Sequence, residues 1–128
     1  MQLSLVQTEE LFATLGERLR LRLACCLFAA KTKLCVCELV DALDEPQPNV
    51  SRHLKLMKAA GLVEEKRDGK WIYYGLRKPQ HPLLGKICRC IESVCCCPDI
   101  LQDLQRLDER LKLRRDCKCI VGVRANRR

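Results

Sequence analysis

The chain has 128 residues, 11 of them cysteine, and its 24 Lys+Arg against 16 Asp+Glu give a net charge of +8. This length supports one domain with a single modest core, and 48% hydrophobic residues indicate a globular protein. No apolar run approaches the roughly 20 residues that span a bilayer. The amino-terminal segment carries Glu9 and Glu10 and lacks the basic and apolar regions of a secretory signal. We therefore expect a cytoplasmic protein with no membrane partner.

The cysteines occur in five tight groups along the chain. These groups are Cys25 and Cys26, Cys35 and Cys37, Cys88 and Cys90, Cys95 to Cys97, and Cys117 and Cys119. Cytosolic thiols are kept reduced, and neighbouring cysteines rarely meet the geometry of an unstrained disulfide. The pattern therefore favours a thiol-rich binding protein over a disulfide scaffold.

Most of the net charge belongs to the end of the chain, where residues 110–128 hold eight basic side chains and one acid. Such basicity indicates a nucleic-acid partner only when a folded motif accompanies it. We expect one domain over residues 1–115 and a mobile, basic, cysteine-containing tail over residues 116–128.

Hydrophobic periodicity predicts the elements of the first half. Leucines at helical spacing predict a helix over residues 8–30, which Gly16 weakens and can divide in two. A short helix with an acidic face follows from Cys35 to Leu43. The next helix is predicted from Gln47 to Ala60, with a proline in its first turn and a glycine at its end.

The period then changes to that of strands. Residues 62–66 and 70–74 predict two strands joined by a turn that contains Asp68 and Gly69. Further helices are predicted over residues 83–94 and from Pro98 to about Arg115. This order predicts an α+β, mainly α fold, a winged helix-turn-helix with a two-stranded wing.

The helix predicted at residues 47–60 has two different sides. At about 100° per residue, Val50, Leu54 and Met57 share the side that would enter the core. The opposite side is basic and polar, with Gln47, Ser51, Arg52, Lys55 and Lys58. Because an α-helix fits the major groove of DNA, this side can read bases and bind phosphates. The tip of the hairpin would add Lys66, Arg67 and Lys70.

The run from Leu34 to Leu76 resembles the ArsR/SmtB family of bacterial metal-responsive repressors, most closely its arsenic-sensing members. The motifs that carry the resemblance are the cysteine pair in CVCEL, the run QPNVSRHLKLMKAAGLV and the RDGKWIYY wing. The resemblance implies a homodimer, with residues 8–16 and 83–94 in its interface, that binds double-stranded operator DNA until an inducer binds. By position it also implies DNA contacts by Gln47, Asn49, Ser51, Arg52, His53 and Lys55.

Trivalent arsenic or antimony, As(III) or Sb(III), is the inducer that we expect, because soft thiolates select soft ions. Both histidines, His53 and His81, lie away from the cysteine groups. The predicted first site is Cys95, Cys96 and Cys97, three thiols in a break before Pro98. Their position at the positive end of the next helix should favour thiolates.

Cys35 and Cys37 form the second candidate site, since they match the arsenic site of the family's best-known members. That site has a third cysteine where this chain has Val40, and two thiols suffice for a methylated or phenylated arsenical. Side chains two apart on a helix diverge by about 200°. Capture of one ion by this pair is therefore predicted to distort the helix.

Several alternatives remain open at this stage. A repressor of the same fold could sense oxidation or reactive sulfur through its thiols, and a thiol-rich metal buffer would need no DNA. Cys117 and Cys119 could add a ligand or a second site. We expect no enzyme and no required cofactor, because no nucleophile–base pairing, phosphate loop or paired carboxylate motif stands out.

Overall fold

The computed structural model describes residues 2–124, and its elements follow the predicted order. The helices and strands of this part of the chain are α1 (Leu5–Leu15), α2 (Arg18–Ala30), β1 (Leu34–Cys35), α3 (Val36–Leu43), α4 (Gln47–Ala59), β2 (Val63–Asp68), β3 (Trp71–Leu76), α5 (Pro82–Val94) and α6 (Pro98–Leu111). The predicted winged helix-turn-helix is confirmed. None of the helices in the described range is long and apolar enough to cross a membrane.

The first predicted helix divides at Gly16. Ser4 begins α1 with a capping box, in which its hydroxyl accepts from the Gln7 backbone at 3.1 Å and its own N–H donates to the Gln7 side chain at 2.9 Å. Glu17 then begins α2 by accepting from the backbone N–H of Arg20 at 2.8 Å. The break is stabilised because Glu17 caps α2 and the Arg20 side chain donates to the Thr14 carbonyl oxygen at the end of α1 at 2.7 Å.

Helices α3 and α4 form the helix-turn-helix. Asp44, in the left-handed conformation at φ 60°, ends α3 after Leu43. Pro46 precedes α4, and Pro48 lies in its first turn, where a missing N–H costs no hydrogen bond. The predicted boundaries of α4 are confirmed within one residue.

The wing is a hairpin of β2 and β3, paired antiparallel from Val63 opposite Leu76 to Asp68 opposite Trp71. Gly69 makes the tight turn at φ 62°, a conformation that side chains rarely adopt. The short strand β1 pairs with the other edge of β3, so that the sheet order is β1-β3-β2. Strand β1 is not among the predicted elements, because two residues are too few for an alternating pattern.

One hydrophobic core joins helices α1 to α6 and the sheet, with Leu23, Leu39 and Leu54 fully buried. On α1, Leu11 joins this core, whereas Leu5 and Phe12 remain 84% and 57% exposed. A helix that exposes such residues presents a surface suited to another chain.

The end of the described chain returns to the domain. Helix α6 ends at Leu111, earlier than the predicted Arg115, and the chain turns through Asp116 and Cys117 at φ 53° and 62°. We call residues 117–124 the carboxy-terminal segment, which lies against α3, α6 and β3. The predicted tail covers residues 116–128, of which 125–128 lie outside the described residues.

Candidate DNA interface and thiol cluster

The two sides of α4 are those that the helical period predicts. Val50, Leu54 and Met57 are fully buried, whereas Arg52 and Lys55 are exposed. Gln47 is also exposed, and Asn49 and Ser51 are half-buried beside it. The outward side of α4 therefore presents amides, a hydroxyl and cations, the groups that contact bases and phosphates.

Arg52 is held in place on this surface. Its guanidinium donates to the amide oxygen of Asn49 at 2.7 Å and lies 3.3 Å from Nε2 of His53. Lys58, one turn further along, forms an ion pair with Glu65 of β2 at 2.7 Å. Lys58 therefore links α4 to the wing. Arg52 and Lys55 are exposed, so their charges can meet DNA phosphates or bases.

His53 differs from the other predicted DNA-contacting residues, because only 6% of it is exposed. Its Nδ1 lies 3.1 Å from the Arg20 guanidinium of α2, and burial lowers the pKa of its ring. The structure thus places the imidazole between α2 and α4 rather than on the outer surface. The position falls at the boundary between the buried and exposed sides of α4, where the sequence pattern does not discriminate.

The tip of the wing carries three exposed cations, Lys66, Arg67 and Lys70. Lys70 lies over the ring of Trp71, 5.0 Å from its centroid. Asp68, beside them, forms an ion pair with Lys118 of the carboxy-terminal segment at 3.3 Å. A positive wing tip next to α4 extends the surface that can meet a DNA backbone.

Three buried thiols meet where β1 ends and α3 begins. The Sγ atoms of Cys35 and Cys37 lie 2.9 Å apart, and that of Cys119 lies 3.3 Å from the Cys37 sulfur. All three sulfurs lie within 4.8 Å of one another. Their residues are 3%, 6% and 2% exposed. Within residues 2–124 this thiol cluster is the one group of potential metal ligands so arranged.

The expected divergence of Cys35 and Cys37 is wrong for a simple geometric reason. Cys35 is the N-cap of α3, with an extended backbone at φ −73° and ψ 151°, while Cys37 lies in the first helical turn. Side chains two residues apart diverge by about 200° only when both residues have helical backbone conformation. The change of backbone conformation at the cap turns the two sulfurs toward each other, without distortion of the helix.

Hydrogen bonds within the thiol cluster separate the acidities of its members. The bond from Cys37 lowers the pKa of Cys35 to about 6, and the same bond raises the pKa of Cys37. Burial raises the pKa of Cys119. The contacts among the three sulfurs therefore favour loss of the first proton from the cluster and oppose loss of the next.

Two arginines, Arg110 of α6 and Arg114 just after it, form ion pairs beside the thiol cluster. Arg114 donates two hydrogen bonds of 2.7 Å to the buried carboxylate of Glu38. Arg110 forms an ion pair with Asp41 at 2.7 Å, and its Nη2 lies 3.9 Å from the Cys119 sulfur. Both acids belong to α3, so these pairs hold α3 against the end of α6.

Cys119 is positioned by contacts that do not involve sulfur. Its backbone N–H donates to the Tyr73 hydroxyl at 3.0 Å. Beyond it, Arg110 donates to the carbonyl oxygens of Val121 and Gly122, and the backbone N–H of Arg124 donates to Asp41 at 2.9 Å. Hydrogen bonds at Cys119, at Val121 and Gly122, and at Arg124 thus hold the carboxy-terminal segment beside the thiol cluster.

The structure does not bring Cys95, Cys96 and Cys97 together. Cys96 and Cys97 are exposed. Cys95 is half-buried, and its sulfur lies 3.3 Å from the Ile91 carbonyl oxygen and 3.9 Å from that of Cys25. Cys97 is the N-cap of α6, but its side chain makes no capping hydrogen bond.

The remaining cysteines occupy varied surroundings. Cys25 and Cys26 are fully buried in the core, and burial raises the pKa of both. Cys88 is half-buried on α5, whereas Cys90 and Cys117 are exposed. Exposed Cys117 and buried Cys119 thus lie in different surroundings only two residues apart.

The participation of Cys119 is the feature that the sequence analysis left undecided. The available signal was the aliphatic pair Ile120 and Val121 after it, in a segment otherwise basic and polar. Apolar residues there suggest contact with the domain, but they do not identify which of the other thiols Cys119 would meet.

Comparisons with known proteins find relatives of the chain. Residues 20–65, from α2 to β2, match the family model described as bacterial regulatory protein, arsR family. The arsenic resistance transcriptional regulator ArsR2 of Pseudomonas putida is 38% identical over 78 residues, which cover 61% of this chain and 66% of that protein. The arsenical resistance operon repressor of Bacillus subtilis is 32% identical over 94 residues, which cover 69% and 89%.

A solved structure shares the fold. HlyU from Vibrio cholerae N16961 aligns over 76% of this chain and all of its own, with a TM-score of 0.63 and 22% identity. The chain spans about half to two thirds of the length of several curated relatives. Because the match to the Bacillus subtilis repressor covers most of that protein, the chain belongs to the arsR family of bacterial regulatory proteins, which are DNA-binding transcriptional regulators and not enzymes.

Proposed function

We propose that the protein is a homodimeric repressor that binds operator DNA and releases it when trivalent arsenic or antimony binds Cys35 and Cys37. The observation that carries this proposal is the 2.9 Å contact between these two sulfurs at the start of α3. Helix α3 is the first helix of the helix-turn-helix, so the thiols adjoin the element that orients α4. Relatives named for arsenic resistance support this choice of inducer.

The DNA-binding surface consists of the outward side of α4 and the tip of the wing. Its members are Gln47, Asn49, Ser51, Arg52, Lys55, Lys66, Arg67 and Lys70. His53 enters the proposal as a positioning residue, since it is buried between α2 and α4. Arg52 is oriented by its hydrogen bond to Asn49. From this position its guanidinium would donate to the O6 and N7 atoms of a guanine.

The dimer would cover the apolar side of α1. Leu5, Val6 and Phe12 are 84%, 64% and 57% exposed, and burial of such side chains is the main gain in association. Twofold symmetry would set two copies of α4 about 34 Å apart, one turn of DNA. One palindromic operator would then contact both subunits.

Release of DNA follows from where the inducer would bind. Cys35 lies on the sheet edge and Cys37 in the first turn of α3, so that one ion bonded to both sulfurs fixes the start of α3 relative to β3. Residues 44–46 connect α3 directly to α4. A coupling of about 1–3 kcal/mol between the two sites changes operator affinity about five- to 150-fold.

We assign the inducer to Cys35 and Cys37 rather than to Cys95, Cys96 and Cys97. The side chains of Cys96 and Cys97 are exposed, whereas the sulfur of Cys95 lies near carbonyl oxygens of α2 and α5. Binding of one ion by that group would first require a rearrangement of the chain. The α3 pair needs none, and preorganised ligands bind more tightly.

The test is an operator titration by fluorescence anisotropy with fully reduced protein. Arsenite should weaken operator binding by wild type about five- to 150-fold, whereas the Cys35→Ser/Cys37→Ser variant should stay bound. Cys96→Ser/Cys97→Ser is the matched control, because it removes two exposed thiols, and it should respond as wild type does. Normal release by the α3 variant would contradict the site, and no release by wild type would contradict the function.

A thiol redox sensor is the second candidate, favoured by the 2.9 Å approach of the Cys35 and Cys37 sulfurs, which places a resolving thiol beside an oxidised one. Hydrogen peroxide should then release the operator without arsenite, and mass spectrometry should detect an oxidised Cys35. If peroxide leaves operator binding unchanged while arsenite weakens it, the metalloid function stands alone.

A further inference from the structure

We propose that Cys119 supplies the third sulfur of a trigonal-pyramidal As(III) or Sb(III) site, so that the metalloid bonds α3 to the carboxy-terminal segment. This inference rests on the proposed function and extends it from two thiols to three. It assigns a binding role to a residue more than 80 positions away from the α3 pair.

The spacing of the three sulfurs suits one shared ion. Sulfurs bonded at about 2.3 Å to one soft ion at near-tetrahedral angles lie roughly 3.8 Å apart. The contacts of 2.9 and 3.3 Å, and the 4.8 Å limit on all three pairs, bracket that separation. Small side-chain rotations would therefore bring Cys35, Cys37 and Cys119 onto a single arsenic atom.

Helix α3 itself offers no third thiol. Val40 stands one turn beyond Cys37, and it is fully buried in the hydrophobic core. The side chain that reaches the pair instead is Cys119, held by the Tyr73 hydroxyl and by the contacts of its segment with Arg110 and Asp41. Because these contacts hold its backbone before an ion binds, little ordering cost attaches to the third bond.

The charges around the thiol cluster favour a trivalent ion. Three thiolates and As(III) form a neutral complex, which can be buried without an unpaired charge. A divalent ion on the same sulfurs would leave one negative charge, while both neighbouring arginines are already paired, Arg110 with Asp41 and Arg114 with Glu38. A tetrahedral ion would also need a fourth ligand, and the cluster of residues 2–124 contains three.

The chemistry balances as exchange of ligands without oxidation or reduction. Arsenous acid, As(OH)3, exchanges three As–O bonds for three As–S bonds. Each thiol proton leaves with one hydroxide as water, so that three water molecules are released. Phenylarsine oxide keeps its As–C bond and forms only two As–S bonds, with one water released. The two reagents therefore distinguish a three-sulfur from a two-sulfur site.

The experiment compares Cys119→Ser with Cys117→Ser in the full chain. Cys117 is the matched control, because it lies in the same segment but is exposed. Arsenic K-edge absorption should count three sulfurs around arsenic in wild type and Cys117→Ser, and two in Cys119→Ser. The arsenite concentration for half-release of the operator should rise at least about tenfold in Cys119→Ser, while its response to phenylarsine oxide should match that of wild type.

Each outcome decides one of the two proposals. Two sulfurs around arsenic in wild type, or an unchanged arsenite response in Cys119→Ser, would overturn the role of Cys119 and leave the α3 pair as the inducer site. Three sulfurs in wild type without release of DNA would support the site and contradict the proposed function. Equal operator affinity of the variants without inducer, and Cys119→Ala beside Cys119→Ser, exclude a folding defect as the cause.

Discussion

Replacement of Arg52 and Lys55 by alanine is expected to weaken operator binding strongly while the fold remains intact. Both side chains are exposed on α4, so their removal leaves the core residues Val50, Leu54 and Met57 in place. A bidentate arginine contact with a base contributes about 1–3 kcal/mol, and a lysine on phosphate adds a salt-dependent gain. We expect the double variant to bind at least about 100-fold more weakly in anisotropy titrations.

The single variants Arg52→Ala and Lys55→Ala should weaken DNA binding in different ways. Arg52→Ala should lower the preference for operator over unrelated DNA, whereas Lys55→Ala should weaken both and reduce the slope of log K against log salt by about one. Lys112→Ala is the matched control, because Lys112 is an exposed cation near the end of α6 that pairs with Glu109. If the control loses as much affinity as Lys55→Ala, binding follows net charge and α4 is not the DNA-reading helix. Full cellular activity of the double variant would favour the metal buffer.

The periodic elements could be predicted from the sequence because their signals are local. In α4, apolar residues at helical spacing identify the buried side, and the proline and glycine near its ends identify its limits. The wing follows from a change to strand-forming residues around Asp68 and Gly69. Every DNA-contacting residue predicted from the sequence, except His53, lies at a half-buried or exposed position, as that pattern implies.

The thiol cluster could not be predicted in the same way because it depends on long-range contacts. Its third sulfur comes from a segment without periodicity, which is placed by single hydrogen bonds to Tyr73 and Asp41. The approach of Cys35 to Cys37 depends on a strand of two residues that ends at the helix cap. No local pattern distinguishes Cys119 from Cys117, although one is buried and the other is exposed.

Replacement of Glu38 by alanine is expected to cause the largest loss of stability among the substitutions considered for this protein. The carboxylate is fully buried, accepts two hydrogen bonds from Arg114 and accepts a third from the backbone N–H of Cys35 at 2.9 Å. Its removal leaves a guanidinium, whose side chain is 10% exposed, without its counter-charge. Loss of one partner of a buried ion pair costs about 3–5 kcal/mol, which urea denaturation followed by circular dichroism can measure.

Glu109→Ala provides the comparison that tests this explanation. Glu109 pairs with Lys112 at 3.0 Å, but both side chains are about two thirds exposed, so its removal should cost less than about 1 kcal/mol. Similar losses in the two variants would mean that the Glu38 pair does not hold α3 against the α6 region. The unequal result would show that removal of the buried carboxylate leaves Arg114 with an uncompensated charge, a penalty that the exposed pair does not carry. Because Glu38 also accepts the backbone N–H of Cys35, the same carboxylate holds the start of α3, where the inducer thiols lie, against the α6 region.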